Sequence, residues 1–213
     1  MYKAEPFWMP ALPQDGNERE FKFFPMPVLP DAQEFEGFVD MEGKFNGPGV
    51  VVLPSGNTYE GGWLNGLKHG PGRFVWASSK HRGDFYDGVY VEDRKHGLGR
   101  YTWANGDKYE GQWVNDNRQG SGTLTFVSGN KYEGQWLGDQ RQGQGTYTWA
   151  NGNICTGQWV SSKKHGVHLY YFASNGSTEQ IEYDMDVLVH REQSTELTLS
   201  PRGEIQHRPD EGR

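Results

Sequence analysis

Apolar and polar residues alternate with a period of two through most of this chain. In Tyr109-Glu110-Gly111-Gln112-Trp113 the first, third and fifth residues share one face of an extended backbone, and the polar pair takes the other. A second kind of alternating run pairs Phe74 with Trp76, Tyr101 with Trp103, Leu124 with Phe126, Tyr147 with Trp149 and Tyr170 with Phe172. Between the two runs lie polar, glycine-bearing segments such as Val114–Gly120, so each pair of runs predicts a β-hairpin. No segment sustains a helical period, which makes the expected fold all-β.

The hairpin pattern repeats. Tyr109-Glu110-Gly111-Gln112-Trp113 returns as Tyr132-Glu133-Gly134-Gln135-Trp136, and units start at Phe35, Tyr59, Tyr86, Tyr109, Tyr132 and, degenerately, Cys155. The one long step holds a polar insertion, Ala77–Phe85, at the connection between two units, where arrays accept extra residues. Gly111, Gly134 and Gly157 share a face with large rings, so the missing Cβ is expected to admit a ring from the neighbouring hairpin. Gly120 with Gly122, and Gly143 with Gly145, bracket the start of the second strand. A lone hairpin is marginal in water, so stacking between successive units must supply stability, and most of the rings are expected to pack.

Three segments follow from this: residues 1–34, the array over 35–183, and 184–213. The first is rich in proline (Pro6, Pro10, Pro13, Pro25, Pro27, Pro30) and rings (Phe7, Trp8, Phe21, Phe23, Phe24), which favours extended backbone that either caps the first unit or docks elsewhere. Short strands are expected at Ser177–Glu182, at the end of the array, and at Val187–Val189 in the last segment, followed by a strand, turn and strand at Glu196–Leu199, Ser200–Gly203 and Glu204–His207, with disorder expected beyond Arg208.

Bulk composition narrows the setting. The chain has 213 residues, 34% of them hydrophobic and 14% aromatic, with a mean hydropathy of −0.86, so its apolar surface comes from a few large rings and suits a thin sheet. No apolar run approaches the roughly 18 residues of a membrane span, and no basic-then-apolar leader opens the chain. One cysteine excludes an internal disulfide framework and points to a reducing, cytoplasmic or cytoskeletal setting. The net charge of −7 is carried mainly by the two end segments, and the array lacks a basic stripe of the kind that binds nucleic acid or anionic lipid.

Candidate chemistry is sparse. His69, His96 and His165 recur before a glycine in Lys-His-Gly, and two other units carry Gln119 and Gln142 at that position, which favours a turn hydrogen bond or solvation over metal ligation. Cys155 occupies the tyrosine position and is expected to pack rather than react. Gly120-Ser121-Gly122 lacks the Lys-Ser/Thr and strand-to-helix context of a phosphate loop, and Glu92-Asp93 lies in a polar turn. The residues therefore point to no catalytic centre, metal or cofactor.

Tyr-Glu-Gly-x-Trp, followed by Lys/Arg-x-Gly-x-Gly and a Tyr-x-Trp or Leu-x-Phe run ending in Asn/Ser-Gly, resembles the MORN repeat. Residues Tyr59–Gly72 match that pattern almost throughout, the units at 109 and 132 match as well, and those at Phe35, Tyr86 and Cys155 are weaker copies, with His168 in the last replacing the second glycine. The resemblance implies an elongated, single-layer twisted sheet of about six stacked hairpins with an aromatic groove. It implies a non-catalytic scaffold of a cytoskeletal, multi-subunit assembly, with a ciliary or flagellar axoneme and its radial spoke head as the expected setting. A partner peptide or helix would lie along the groove on rings drawn from Trp63, Tyr101, Trp103, Tyr109, Trp113, Tyr132, Trp136, Tyr147 and Trp149, one strand face packing and the other binding. Oligomerisation stays open. The alternative is a peripheral membrane adaptor that binds phospholipid through the array, against which the near-neutral array argues.

Overall fold

The computed structural model describes residues 34–194, 197–200 and 202–207. Among them, fourteen strands form one antiparallel sheet in which each strand pairs with its neighbours in sequence. They are β1 (Glu34–Val39), β2 (Phe45–Val52), β3 (Thr58–Leu64), β4 (Leu67–Val75), β5 (Phe85–Val91), β6 (Arg94–Thr102) and β7 (Lys108–Val114). The series continues through β8 (Asn117–Thr125), β9 (Lys131–Leu137), β10 (Gln140–Thr148), β11 (Ile154–Val160), β12 (Lys163–Phe172), β13 (Ser177–Asp184) and β14 (Val187–Gln193). A separate pair, β15 (Leu197–Leu199) and β16 (Ile205–His207), follows. The Ala77–Phe85 insertion forms a 3₁₀ turn at Ser79–His81 between β4 and β5.

Each Tyr-x-Gly-x-Trp unit is the first strand of a hairpin, but the turn is tighter than the polar segments imply. Between β7 and β8 it consists of Asn115 and Asp116 alone, both at positive φ (48° and 70°), the geometry that matches the right-handed twist of two-residue hairpins. The rest of that polar segment is strand. Asn117–Gly120 is polar because it holds a bulge: Gly111 pairs with Gly122 and Trp113 with Arg118, which leaves Gln119–Ser121 opposite Gln112. Gly120 takes φ 63° there, and the Gln112 Oε1 accepts the Ser121 N–H at 3.0 Å.

Both ends of each hairpin are tied to the next. At the turn end, Asp93, Asp116, Asp139 and Asp186 accept the backbone N–H of Lys68, Lys95, Arg118 and Lys164 through Oδ1, at 2.8–3.0 Å. At the other end, Asn57, Asp84, Asp107, Asn130 and Asn153 accept the N–H of Ala77, Ala104, Val127, Ala150 and Ala173 at 2.8–3.0 Å. These Asx bonds close the loop backbone groups that the sheet ladder leaves open.

The two faces differ. One carries the rings; the other is polar, with cross-strand ion pairs such as Arg73–Asp87 at 3.6 Å and an Arg100 Nε bond to Glu110 at 2.6 Å. The polar face turns apolar near its C-terminal end. There Leu199, brought over by β15, packs on Ile154, Leu169 and Tyr171, and Gly203 in the following turn approaches Thr146 and Ile154, so β15 and its turn cover part of β10–β13 from outside. The expected strands at Ser177 and Val187 extend the same sheet beyond residue 183. The expected roles of residues 1–33 and of the tail beyond Arg208 fall outside the described residues.

Candidate partner-binding face

The ring face is built on an unbroken file of edge-to-face aromatics. It runs Phe45, Trp63, Tyr59, Tyr90, Tyr86, Trp113, Tyr109, Trp136, Tyr132 and Trp159, with successive centroids 4.9–5.5 Å apart. That spacing and the near-perpendicular planes suit the quadrupoles of the rings. Tyr90 supplies the ring where the units starting at 59, 109, 132 and 155 carry tryptophan. Tyr59, Tyr86, Tyr109 and Tyr132 are fully buried, and each of these phenols donates to a main-chain carbonyl three residues on, Tyr109 to Gln112 O at 3.1 Å. Trp113, Trp136 and Trp159 donate their indole N–H to Gly99, Gly122 and Gly145 O of the preceding unit at 3.1–3.3 Å. Burial pushes the Tyr109 and Tyr132 phenols up to about 12, so they remain protonated donors.

The glycines serve a different ring from the one expected. A Cβ on Gly111 would stand 2.6 Å from both the Gly122 Cα and the hydroxyl of Tyr109, two residues earlier on the same strand. The space is filled by the unit's own tyrosine, and the neighbouring hairpin's tryptophan packs on that tyrosine's edge.

In the last unit two departures from the repeat compensate each other. Cys155 leaves the phenol's place empty, and His168, paired with Gly157, puts its imidazole there. The imidazole stands 5.7 Å from Trp159 and 5.5 Å from Tyr183, both at nearly right angles, so the file continues to β13. Burial holds His168 down to about 4 and lifts the Cys155 thiol to about 11. Both are neutral at pH 7, which fits the packing role expected of Cys155.

Above the file lies a row of cations, one per unit. Lys68, Lys95, Arg118, Arg141 and Lys164 hold their charges 4.1–5.9 Å from ring centroids; Arg118 lies 4.3 Å over Trp136 and Arg141 4.2 Å over Trp159. Lys68 pairs with Asp93 at 3.1 Å and Arg118 with Asp139 at 2.9 Å. Burial lowers the Lys95 and Arg141 values. This row was present in the Lys/Arg-x-Gly-x-Gly signature but given no role, because only the register shows that every cation falls over rings. Beside it, Gln119 and Gln142 accept turn N–H groups of the next unit, from Gly138 and Ser161, whereas the Nδ1 atoms of His69 and His96 at the same repeat position are buried without a hydrogen-bond partner among the described residues.

Of the predicted groove residues, Tyr101, Tyr109, Trp113, Tyr132 and Trp136 are buried, while Trp63, Trp103, Tyr147 and Trp149 are half-buried. All nine lie on the ring face. The expected division, with one strand face packing and the other binding, is therefore corrected: packing and half-exposed rings share one face because Tyr101 pairs with Tyr109 and Tyr132 with Tyr147, and the opposite face is polar. The half-exposed strip consists of Trp76, Trp103, Phe126, Tyr147, Trp149 and Phe172, in the second strands or one residue past their ends. Sequence reading also missed the buried Asp84. Burial raises its carboxyl, but bonds from Tyr101 (2.6 Å), Ala104 N–H (2.8 Å) and His81 (3.0 Å) outweigh that and leave it below the usual carboxylate range. It anchors the insertion to β6.

No curated protein matches the chain in sequence. Among solved structures, the TCP domain of SAS-4 (dCPAP) of Drosophila melanogaster, in complex with a proline-rich motif of Ana2 (dSTIL), is 14% identical, with 88% of this chain and 97% of that chain covered and a TM-score of 0.44. The MORN repeat model matches residues 41–58, 59–80, 86–108, 109–131, 132–154 and 155–177, so five of its six copies start on the predicted units and the first starts after Phe35. These matches span more than half of the chain, which belongs to the MORN-repeat family.

Proposed function

We propose that this protein is a non-catalytic scaffold subunit of a cytoskeletal, multi-subunit assembly, and that the assembly is a ciliary or flagellar axoneme with the radial spoke head as its site. MORN-repeat proteins serve generally as scaffolds and interaction modules, which supports the broad part of this reading. The observation that carries partner binding is the half-exposed strip from Trp76 to Phe172 beside the row from Lys68 to Lys164. A partner polypeptide laid on this face would bury rings already held rigid by the file beneath them, so little ordering cost attaches to the protein side.

Proximity labelling with the tagged full chain in ciliated cells tests the setting. Enrichment of axonemal proteins is the expected result, and recovery of membrane-trafficking proteins alone would overturn it. Trp103→Ala with Trp149→Ala tests the face, because both rings are half-exposed. Loss of the labelled partners with circular dichroism unchanged is expected, and an unchanged partner set would move the site elsewhere. Strong, salt-sensitive co-sedimentation with acidic liposomes would instead favour a peripheral membrane adaptor.

A further inference from the structure

We propose that the ring face takes an acidic polypeptide in the polyproline II conformation, with one carboxylate seated on Arg141 and another on Lys95. This rests on the reading of the ring face as the partner site and names its occupant.

Charge locates the two anchors. The turn residue that answers each cation is Asp93, Asp116, Asp139 or Asp186 in four units, but Ser162 in the unit facing Arg141. Ser162 supplies its Oγ to the Arg141 N–H at 3.1 Å and its carbonyl to the guanidinium at 2.6 Å, and neither atom carries a charge. At Lys95, Asp116 is spent on the backbone N–H at 3.0 Å. Among the described residues no ion pair reaches Arg141, Lys95 or Lys164, whereas Lys68 and Arg118 each have one; Lys164 instead donates its Nζ to the Tyr170 hydroxyl at 2.8 Å. Lys95 and Arg141 are half-buried against rings, so a ligand carboxylate there meets a positive charge already drawn partly out of water.

Spacing selects the backbone. Cations and half-exposed rings each recur once per hairpin, a step of two strands or about 9.4–9.8 Å. Polyproline II repeats a face every three residues, about 9.3 Å. An α-helix needs seven residues, about 10.5 Å, and drifts off register within a few steps. A β-strand repeats a face at about 6.6 or 13.2 Å and misses throughout. The threefold section of polyproline II also meets both rows at once: one ridge rests on Trp103, Phe126 and Trp149, the next reaches the cations, and the third faces water. Lys95 and Arg141 are two hairpins apart, which corresponds to acidic residues six positions apart in the ligand.

Fluorescence anisotropy with the full chain and labelled 15-residue peptides tests this. A (Pro-Pro-Glu)5 peptide is expected to bind, and (Pro-Pro-Gln)5 to bind at least about tenfold more weakly, the scale of one lost charged contact. Arg141→Gln should weaken (Pro-Pro-Glu)5 about tenfold. Ser162→Asp keeps the cation and restores the repeat's own carboxylate, so it should weaken binding to a similar degree with the melting temperature held or raised. Tighter binding of an alanine-based helix of equal negative charge would overturn the polyproline II occupant while leaving the ring face as the partner site. No binding of (Pro-Pro-Glu)5, or binding indifferent to Ser162→Asp, would also overturn it. The partner-site reading itself stands or falls on Trp103 and Trp149.

Discussion

Cys155 and His168 show how closely the residues of one unit depend on each other. Elsewhere a tyrosine lies over two glycines that face each other across a hairpin; here a cysteine and a histidine replace the ring and one glycine, and the file of rings survives. His168→Gly alone should open a gap, and Cys155→Tyr alone should drive a phenol into the imidazole. The double variant should recover stability, with a coupling of about 1–3 kcal/mol in urea unfolding; additive losses would refute it. The same ring sets an acid limit. Burial is the main cause of its low value, with Lys164 adding to it and the Gly166 carbonyl and Asp186 opposing. An unfolded histidine takes its proton near 6.5, so the unfolded chain binds more protons below that pH. Stability from the neutral ring is fully present above pH 6.5 and falls away as pH drops towards about 4, by on the order of 2 kcal/mol. Melting temperatures from pH 7 to 4.5 should therefore fall further in the natural chain than in the double variant. Both departures were visible in the sequence, but only the pairing of Gly157 with His168 reveals them as one exchange.

Hairpins were the most legible elements, because Tyr-x-Gly-x-Trp marks each first strand with period two and the following ring pair marks each second. Turn length was not legible. Residues 117–120 look like loop by composition, and only the bulge at Gly120 shows that polar residues continue the strand. Strands β13 and β14 lack the signature, so their strand character could be read but not their place in the same sheet. The link between hairpins depends on side chains whose role composition hides. Asp139 accepts both the backbone N–H and the Nε–H of Arg118, at 3.0 and 2.9 Å, from a residue at φ 68°. Asp139→Ala should cost about 1–2 kcal/mol and speed hydrogen exchange at the Arg118 amide, while Asp139→Asn should retain most of the stability. Equal exchange in both variants would show that the turn holds without its side chain.

Among the described residues, contacts run from each hairpin to its neighbours, and one patch is covered from outside. Leu199 is buried against Ile154 and Leu169, so Leu199→Ala should loosen β15 and β16 by about 2–3 kcal/mol. Hydrogen exchange should rise there and at β11–β12 and stay unchanged in β3–β8, since stacked units sense only their neighbours; a uniform rise would mean the sheet unfolds as a block. The candidate partner face was only partly legible for a related reason. Repetition marks the same rings in every unit, and burial then withdraws Tyr109, Trp113, Tyr132 and Trp136 from contact. Strand direction has a mechanical consequence. The fourteen strands lie across a sheet about 60 Å long, so its hydrogen bonds point along the length. Tension applied at the two edge strands opens those bonds in succession rather than shearing them together. Such a rod holds its span against compression and yields to stretching one hairpin at a time, a spacer that gives way stepwise instead of snapping.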